Sequence, residues 1–273
     1  MPVSEVICSR KKKLLVISLY AGEIMLKNGA ETYRVEDTII RLCKSKNLPY
    51  VEAYVTPTGI FMSMDSKGES QDEIISYIKR IKCRGINLNK IAEVNNFSRD
   101  FVDGKIPMDE ALPALNAIDS SKPYSKRMGA LAGGGLAAGF FALLFGGNFA
   151  VFIAAFIIGS IIRYMMCCLG EMKFPPFLSN IIVGAAMTLM AVLFFYIASL
   201  MNVALDVNKV ITGAIMPLVP GVAITNAVRD SIAGDLVSGT ARTAEAIIIA
   251  ISIAFGVGSV LKLWFFICGG CLL

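Results

Sequence analysis

Residues 216–245 read MPLVPGVAITNAVRDSIAGDLVSGTARTAE, and the polar side chains in this apolar setting are the ones placed to do chemistry. Pro217 and Pro220 each lack an N–H, and Gly221 follows them directly. Two such residues three apart break a helix, because each ring also clashes with the preceding turn. At membrane depth, open backbone is tolerated only against protein or a water-lined cavity. Interrupted helices of this kind build substrate sites in transporters. A packing kink with no site is the competing reading. Asn226, Asp230, Asp235, Arg242 and Glu245 come next. Carboxylates at a membrane boundary relay protons or repel anions. Equally, Asp230 and Asp235 can cap helix ends in a solvated loop while Arg242 pairs with Glu245. Gly234 and Gly239 suggest a tight re-entrant turn. Arg163, far back in another apolar stretch, either snorkels to the interface or faces a cavity to hold an anion.

A second polar set lies near the start, in NGAETYRVEDTIIRLC (28–43). Glu31 with Arg34, and Asp37 with Arg41, have helical ion-pair spacing. Exposed pairs of that kind contribute only a few tenths of a kcal/mol each. A solvated helix face explains them. The carboxylates with Tyr33 raise hydrolysis as an alternative, but no nucleophile with a matched base is visible. Histidine is absent, which excludes His-based catalysis and His metal sites. The Gly133-Gly134-Gly135 run lacks the Lys and Ser/Thr of a phosphate loop, so close helix packing is expected there, with Gly139. No cofactor and no metal are expected. Seven cysteines without framework spacing read as free thiols, and Cys268-Gly-Gly-Cys271 as small residues closing an apolar stretch rather than a redox pair.

The elements that position these residues follow from composition. With 55% hydrophobic and 17% charged residues, the chain is too apolar for an ordinary soluble domain. The charge is uneven: 36 of 47 Asp, Glu, Lys and Arg residues fall in 1–127. That shift predicts a domain at 1–127, with a linker at 119–127, and a membrane domain at 128–273. The net charge of +5 reads as positive-inside bias rather than a nucleic-acid patch. Arg10-Lys11-Lys12-Lys13 before an apolar run imitates a signal peptide, but the run stops at Glu23 without a cleavage site. Leu15, Leu19, Gly22 and Leu26 instead have the spacing of an amphipathic helix, predicted over 12–27. A second helix is predicted over 30–46, ending before Pro49, with Val35, Ile39 and Leu42 inward. A hairpin over 50–56 and 59–65 turns at Thr56-Pro57-Thr58-Gly59. A third strand at 73–82 and helices at 87–103 and 108–118 complete a small α+β domain.

Five apolar stretches follow, at about 128–146, 148–169, 177–201, 207–227 and 243–270, each long enough to cross about 30 Å of hydrocarbon. The predicted fold class is therefore a membrane all-α protein of five transmembrane helices preceded by a small cytoplasmic α+β domain. Lys122, Lys126, Arg127, Lys173, Arg229 and Arg242 collect on one side of the spans. The other side holds Lys209, with Lys262 near the end of span five. The expected orientation is N-terminus cytoplasmic and C-terminus outside, in the cell membrane.

Three ordered segments resemble one family: GEIMLKNGAETYRVEDTIIR (22–41), RGINLNKIAEVNNFSR (84–99) and MPLVPGVAITNAVRDSIAGDLVSGTAR (216–242). Together they are similar to the threonine/serine exporter family, and most of all to the longer subunit of its two-gene members. The resemblance implies no enzyme. It implies a secondary exporter subunit for small polar metabolites, threonine and serine or dicarboxylates such as succinate, drawing on the proton motive force. It also marks Gly29, Glu31, Thr32, Arg34 and Glu36 as motif residues of the cytoplasmic domain. Fused members continue into a second membrane module, and the sequence stops at Leu273. The implied partner is a separate small multi-span membrane subunit. A membrane-anchored enzyme and a regulatory or assembly subunit are the alternatives.

Overall fold

A computed structural model describes residues 3–46, 48, 50–66, 73–82, 84–121, 125 and 128–267. The chain divides into two compact units, Met1–Pro123 with Val222–Ala244, and Tyr124–Gly221 with Glu245–Leu273.

The first unit opens with α1 (Val3–Lys27) and α2 (Thr32–Lys44). A three-stranded antiparallel sheet follows in the order β1 (Val51–Thr56), β2 (Gly59–Ser66), β3 (Glu73–Arg80). Thr56 pairs with Gly59 across the expected Pro57-Thr58 turn. Two helices, α3 (Leu88–Val102) and α4 (Met108–Ser120), complete the N-terminal part. Asn87 starts α3 by accepting from the Lys90 N–H at 3.2 Å, which satisfies a donor that has no partner within the helix. The core gathers the inward stripes of each element: Leu15, Ile17 and Ile24 of α1, Val35, Ile39 and Leu42 of α2, Ile60, Met62 and Met64 of β2, and Phe97 and Phe101 of α3. The stripe expected on the second helix is therefore the buried one.

The link between α1 and α2 is held by backbone hydrogen bonds and by the buried Ala30. Ala30 donates to the Met25 carbonyl and Gly29 to that of Leu26, at 3.1 and 3.3 Å. This Schellman pair requires a left-handed residue, and Gly29 has φ +91°. A side chain at Gly29 would also meet the Gly85 carbonyl at 3.2 Å.

The second unit begins with a π-helical stretch, Gly129–Leu136, running into α5 (Ala137–Leu144). It continues with α6 (Phe149–Glu171), α7 (Pro176–Leu200), and α8 (Val207–Ile215) with a 3-10 turn at Met216–Leu218. Asn148 caps α6 and Asp206 caps α8. Small residues set the helix separations. A Cβ at Gly134 would strike the Gly159 carbonyl, and one at Gly184 would lie 2.9 Å from that of Ile253. Gly135 and Gly139 are equally tight, whereas Gly133 faces open space, so the predicted packing role holds for three of the four.

At Val219 the backbone turns extended, with ψ 129°, and helical geometry resumes in α9 (Gly221–Ile232). The two prolines break the helix where expected. The last helix, α10, runs Leu236–Ile267, seven residues earlier in its start than the sequence suggests. Its first turns are polar, so the hydropathy boundary misses them.

Among the described residues, three helices are long and apolar enough to cross a membrane: α6, α7 and α10. The broken stretch α8 to α9 makes a fourth candidate, and Gly129–Leu144 is a shorter apolar helix. The described residues are thus mostly helical, with three to four candidate spans and a small N-terminal sheet. These apolar helices are the elements of a multi-pass membrane protein.

The sequence division at 127/128 groups Val222–Ala244 with the membrane half, while its contacts place it in the first unit. Charged side chains along α9 find partners around the start of α2, which a boundary drawn by composition does not register. Of the linker, Asp119 and Ser120 still belong to α4. Lys122, Lys126, Arg127 and the Cys268–Cys271 pair lie outside the described residues.

Candidate functional site

The first unit brings the two polar sets of the sequence together. Helix α2 starts with Thr32, and its N-cap Glu31 makes no side-chain cap of its own. Four successive residues, 29–32, are instead held by α9 and the start of α10. Asn226 donates to the Gly29 carbonyl at 2.8 Å. Arg242 donates to that of Ala30 at 2.8 Å. Arg229 meets the Glu31 carboxylate at 2.6 Å. The Thr32 backbone N–H donates to Asp230 at 3.2 Å, and its hydroxyl to Asp235 at 2.7 Å. Asn226, Arg229 and Asp230 share one helix face by their i, i+3, i+4 spacing.

The charges of this clasp meet in close ion pairs. Asp230 is fully buried, and its second oxygen lies 3.0 Å from Arg242 Nε. A carboxylate at the start of α2 also suits the positive end of the helix dipole. Glu31 divides its two oxygens between Arg229 and Arg34, the latter at 3.1 Å. Burial opposes its ionised form, but its own backbone N–H and the two arginines outweigh that and hold the carboxyl below its ordinary value. Glu36 behaves oppositely. Burial pushes its carboxyl up, Asp235 and Asp230 add to the rise, and the Val55 N–H it accepts at 2.7 Å pulls the other way. That bond, with Ser238 reaching the Val55 carbonyl at 3.5 Å, occupies the outer edge of β1.

An open cleft of about 350 Å³ adjoins the clasp. Arg34, Arg229, Asn95 and Thr225 supply its polar wall, and Leu88 and Ile91 its apolar one.

Among the expected site residues, Gly29, Glu31, Thr32, Glu36, Asn226, Asp230 and Asp235 thus meet in one place, with Arg34 beside them. Pro217, Pro220, Gly221 and Arg163 belong to the second unit. Arg163 is exposed on α6, with its Cβ against Gly134. Sequence reasoning missed Arg229 as a site residue and counted it only as a topological charge. The signal available was its place beside Asp230 on the polar face of an otherwise apolar helix. Nor did it find the partner of Arg242 in Asp230, twelve residues upstream, or the part played by Asn95. No group of three or more Cys, Asp or Glu with metal-binding geometry occurs among the described residues. Cys43 is buried, and that burial raises its thiol to about 11, so it is an inert core residue rather than a nucleophile.

The family model described as "Putative threonine/serine exporter" matches residues 16–264, which takes in both units and every residue of the clasp. The chain belongs to the threonine/serine exporter family. Among its relatives is the threonine/serine exporter of Corynebacterium glutamicum, 24% identical over 239 residues, covering 87% of this chain and 48% of the relative. The probable threonine/serine exporter of Mycobacterium tuberculosis is 22% identical, covering 90% and 45%. The chain therefore spans about half the length of these two family members. A third relative, the probable succinate transporter subunit YjjP of Escherichia coli, is 21% identical and is matched nearly end to end, 91% against 93%. No solved structure matches the chain.

Proposed function

We propose that the chain is a subunit of a secondary-active exporter of small polar metabolites, threonine and serine or dicarboxylates such as succinate. The observation that carries the reading is the proline-broken helix at 216–221 in a member of an exporter family. The two prolines supply no N–H to the helix ladder, the backbone turns extended at Val219, and two half-helix ends result. Such ends suit a carboxylate on one side and a cation on the other, and every substrate in this class carries a carboxylate. Pro217, Pro220 and Gly221 form the transport site in this reading. Arg163 either snorkels or attracts the anion.

Coupling follows from chain continuity. The helix that resumes after Pro220 is the one that grips residues 29–32. We assign Asp230 the proton-linked role. A protonated Asp230 no longer holds Arg242 by charge and accepts less strongly from Thr32, so the clasp loosens when a proton arrives. Residues 1–127 are cytoplasmic in this scheme, the chain crosses five times with Gly129–Leu144 as the first span and α8 with α9 as the fourth, and the far end of α10 faces outside. Relatives named as subunits support a separate membrane partner.

The test is efflux of labelled threonine, serine and succinate from proteoliposomes containing the chain with and without the proposed small membrane partner. Pro217→Ala with Pro220→Ala lowers efflux without blocking insertion, and Asp230→Asn flattens its pH dependence. Unchanged transport in the proline variant, at equal insertion, would reduce the break to packing.

A further inference from the structure

We infer that the cleft beside Glu31 is a binding site for a small carboxylate on the first unit, distinct from the proline break at 217–221. The inference rests on the exporter reading for the identity of the ligand, but not for the existence of the site. Two guanidiniums, Arg34 from the first turn of α2 and Arg229 from α9, line the cleft. Each gives one nitrogen to Glu31. A guanidinium carries five N–H donors in a rigid fork, so both keep donors for a second acceptor. Two cations against one carboxylate leave a single positive charge at the wall. Glu31 itself shows which group the pair accommodates, because a carboxylate already bridges them.

The remaining walls suit the rest of such a molecule. Asn95 and Thr225 are placed for an amino, hydroxyl or second carboxyl group, and Leu88, Ile91 and Val222 for a short carbon skeleton. Gly29 brings bare backbone to the floor, with no side chain to exclude the ligand. The volume of about 350 Å³ lies at the lower end of small-molecule sites, which matches an amino acid or a four-carbon diacid. Occupancy would add a second acceptor to Arg34 and to Arg229, the latter of which already ties α9 to the start of α2 through Glu31. A cytoplasmic carboxylate would thereby be sensed at the clasp itself.

Calorimetric titration of the purified full-length chain in detergent tests this with threonine, serine, succinate and inorganic phosphate as separate probes. At least one of the three carboxylates binds, and Arg34→Gln and Arg229→Gln each weaken it about tenfold or more. Those two changes also disturb Glu31. Ala92→Phe is therefore the companion variant: it fills the cleft from α3 without touching either ion pair, and it abolishes binding at an unchanged unfolding temperature. Binding that survives Ala92→Phe, binding of phosphate alone, or no binding by any carboxylate would overturn the site. Efflux is scored separately. Transport without cleft binding refutes this inference and leaves the exporter reading, whereas cleft binding without transport does the reverse.

Discussion

The backbone N–H of Thr32 donates to the carboxylate of Asp230, 198 residues further along the chain. A helix start normally finds its cap in its own sequence. Here the cap comes from α9, and the same carboxylate neutralises Arg242, whose side chain is 9% exposed. Removing one member of a buried pair strands the other, at a cost of about 3–5 kcal/mol. Asp230→Ala and Arg242→Ala are each expected to lower the unfolding temperature of the purified chain sharply. The double variant should lose clearly less than the sum, since neither charge is then left alone. Strict additivity in thermal melts would show that the two side chains do not act as a pair.

Thr32→Val separates the two bonds of that residue. The backbone donation to Asp230 survives and the hydroxyl bond to Asp235 goes. The expected loss is about 1.5–3 kcal/mol, the worth of one hydrogen bond to a charged group. Denaturant titration reads this directly, and a loss as large as that of Asp230→Ala would move the weight of the clasp onto Asp235.

How much of this was legible beforehand depends on the range of the interaction. The stripe Val35, Ile39, Leu42 and the turn at Pro57-Thr58 are local signals, and both elements fold as their spacing dictates. The helix break is local too, because Pro217 and Pro220 act on their own turns. The clasp is not local. Nothing in NGAETYRVED states that Gly29, Ala30, Glu31 and Thr32 are waiting for α9, and isolated ion-pair spacing made Glu31 look solvated. Hydropathy also misleads at Val222–Ala244, where an apolar average conceals the polar face built by Asn226, Arg229 and Asp230.

Two carboxyls predict opposite acid responses. Glu31 is held below its ordinary value, so the folded state releases that proton more readily than the unfolded chain. Its contribution is present above the unfolded value of about 4.3 and is lost as pH falls through the lower folded value. Glu36 is held above its ordinary value. It costs stability at neutral pH and returns that stability as pH falls through the raised value. Glu36→Gln keeps an acceptor for the Val55 N–H and removes a charge beside Asp230 and Asp235. Melting temperatures recorded from about pH 7 down to about pH 2.5 should therefore show Glu36→Gln equal to or above wild type at pH 7, with the advantage shrinking on acidification. Glu31→Gln should start lower and lose less below pH 4.3. A Glu36→Gln protein that is less stable at every pH would contradict the assignment.

Gly29→Ala tests the link between α1 and α2. The left-handed φ of +91° and the nearby Gly85 carbonyl both oppose a side chain. The expected cost is about 1 kcal/mol or more. Faster proteolysis between α1 and α2 than in wild type would report it, and an unchanged cleavage rate would show that the loop adapts.

Gly256→Val makes the corresponding test in the second unit, where a Cβ would strike the Ile181 carbonyl of α7. Overpacking of this kind costs about 1–3 kcal/mol. Reduced yield of monodisperse protein on size exclusion is the expected outcome, and normal yield would indicate that α7 and α10 are free to part.

Because the first unit is assembled from Met1–Pro123 and Val222–Ala244, it cannot be completed when its N-terminal part leaves the ribosome. Residues 124–221 must be made first, which takes about 5–20 s at ordinary elongation rates. During that interval the start of α2 has no cap, Glu31 has no Arg229, and the outer edge of β1 lacks Ser238. The helices of the second unit are being laid into the membrane over the same seconds. Release of the clasp segment is thus timed by insertion, and a chain stalled before residue 222 would present an unfinished N-terminal unit to chaperones and proteases.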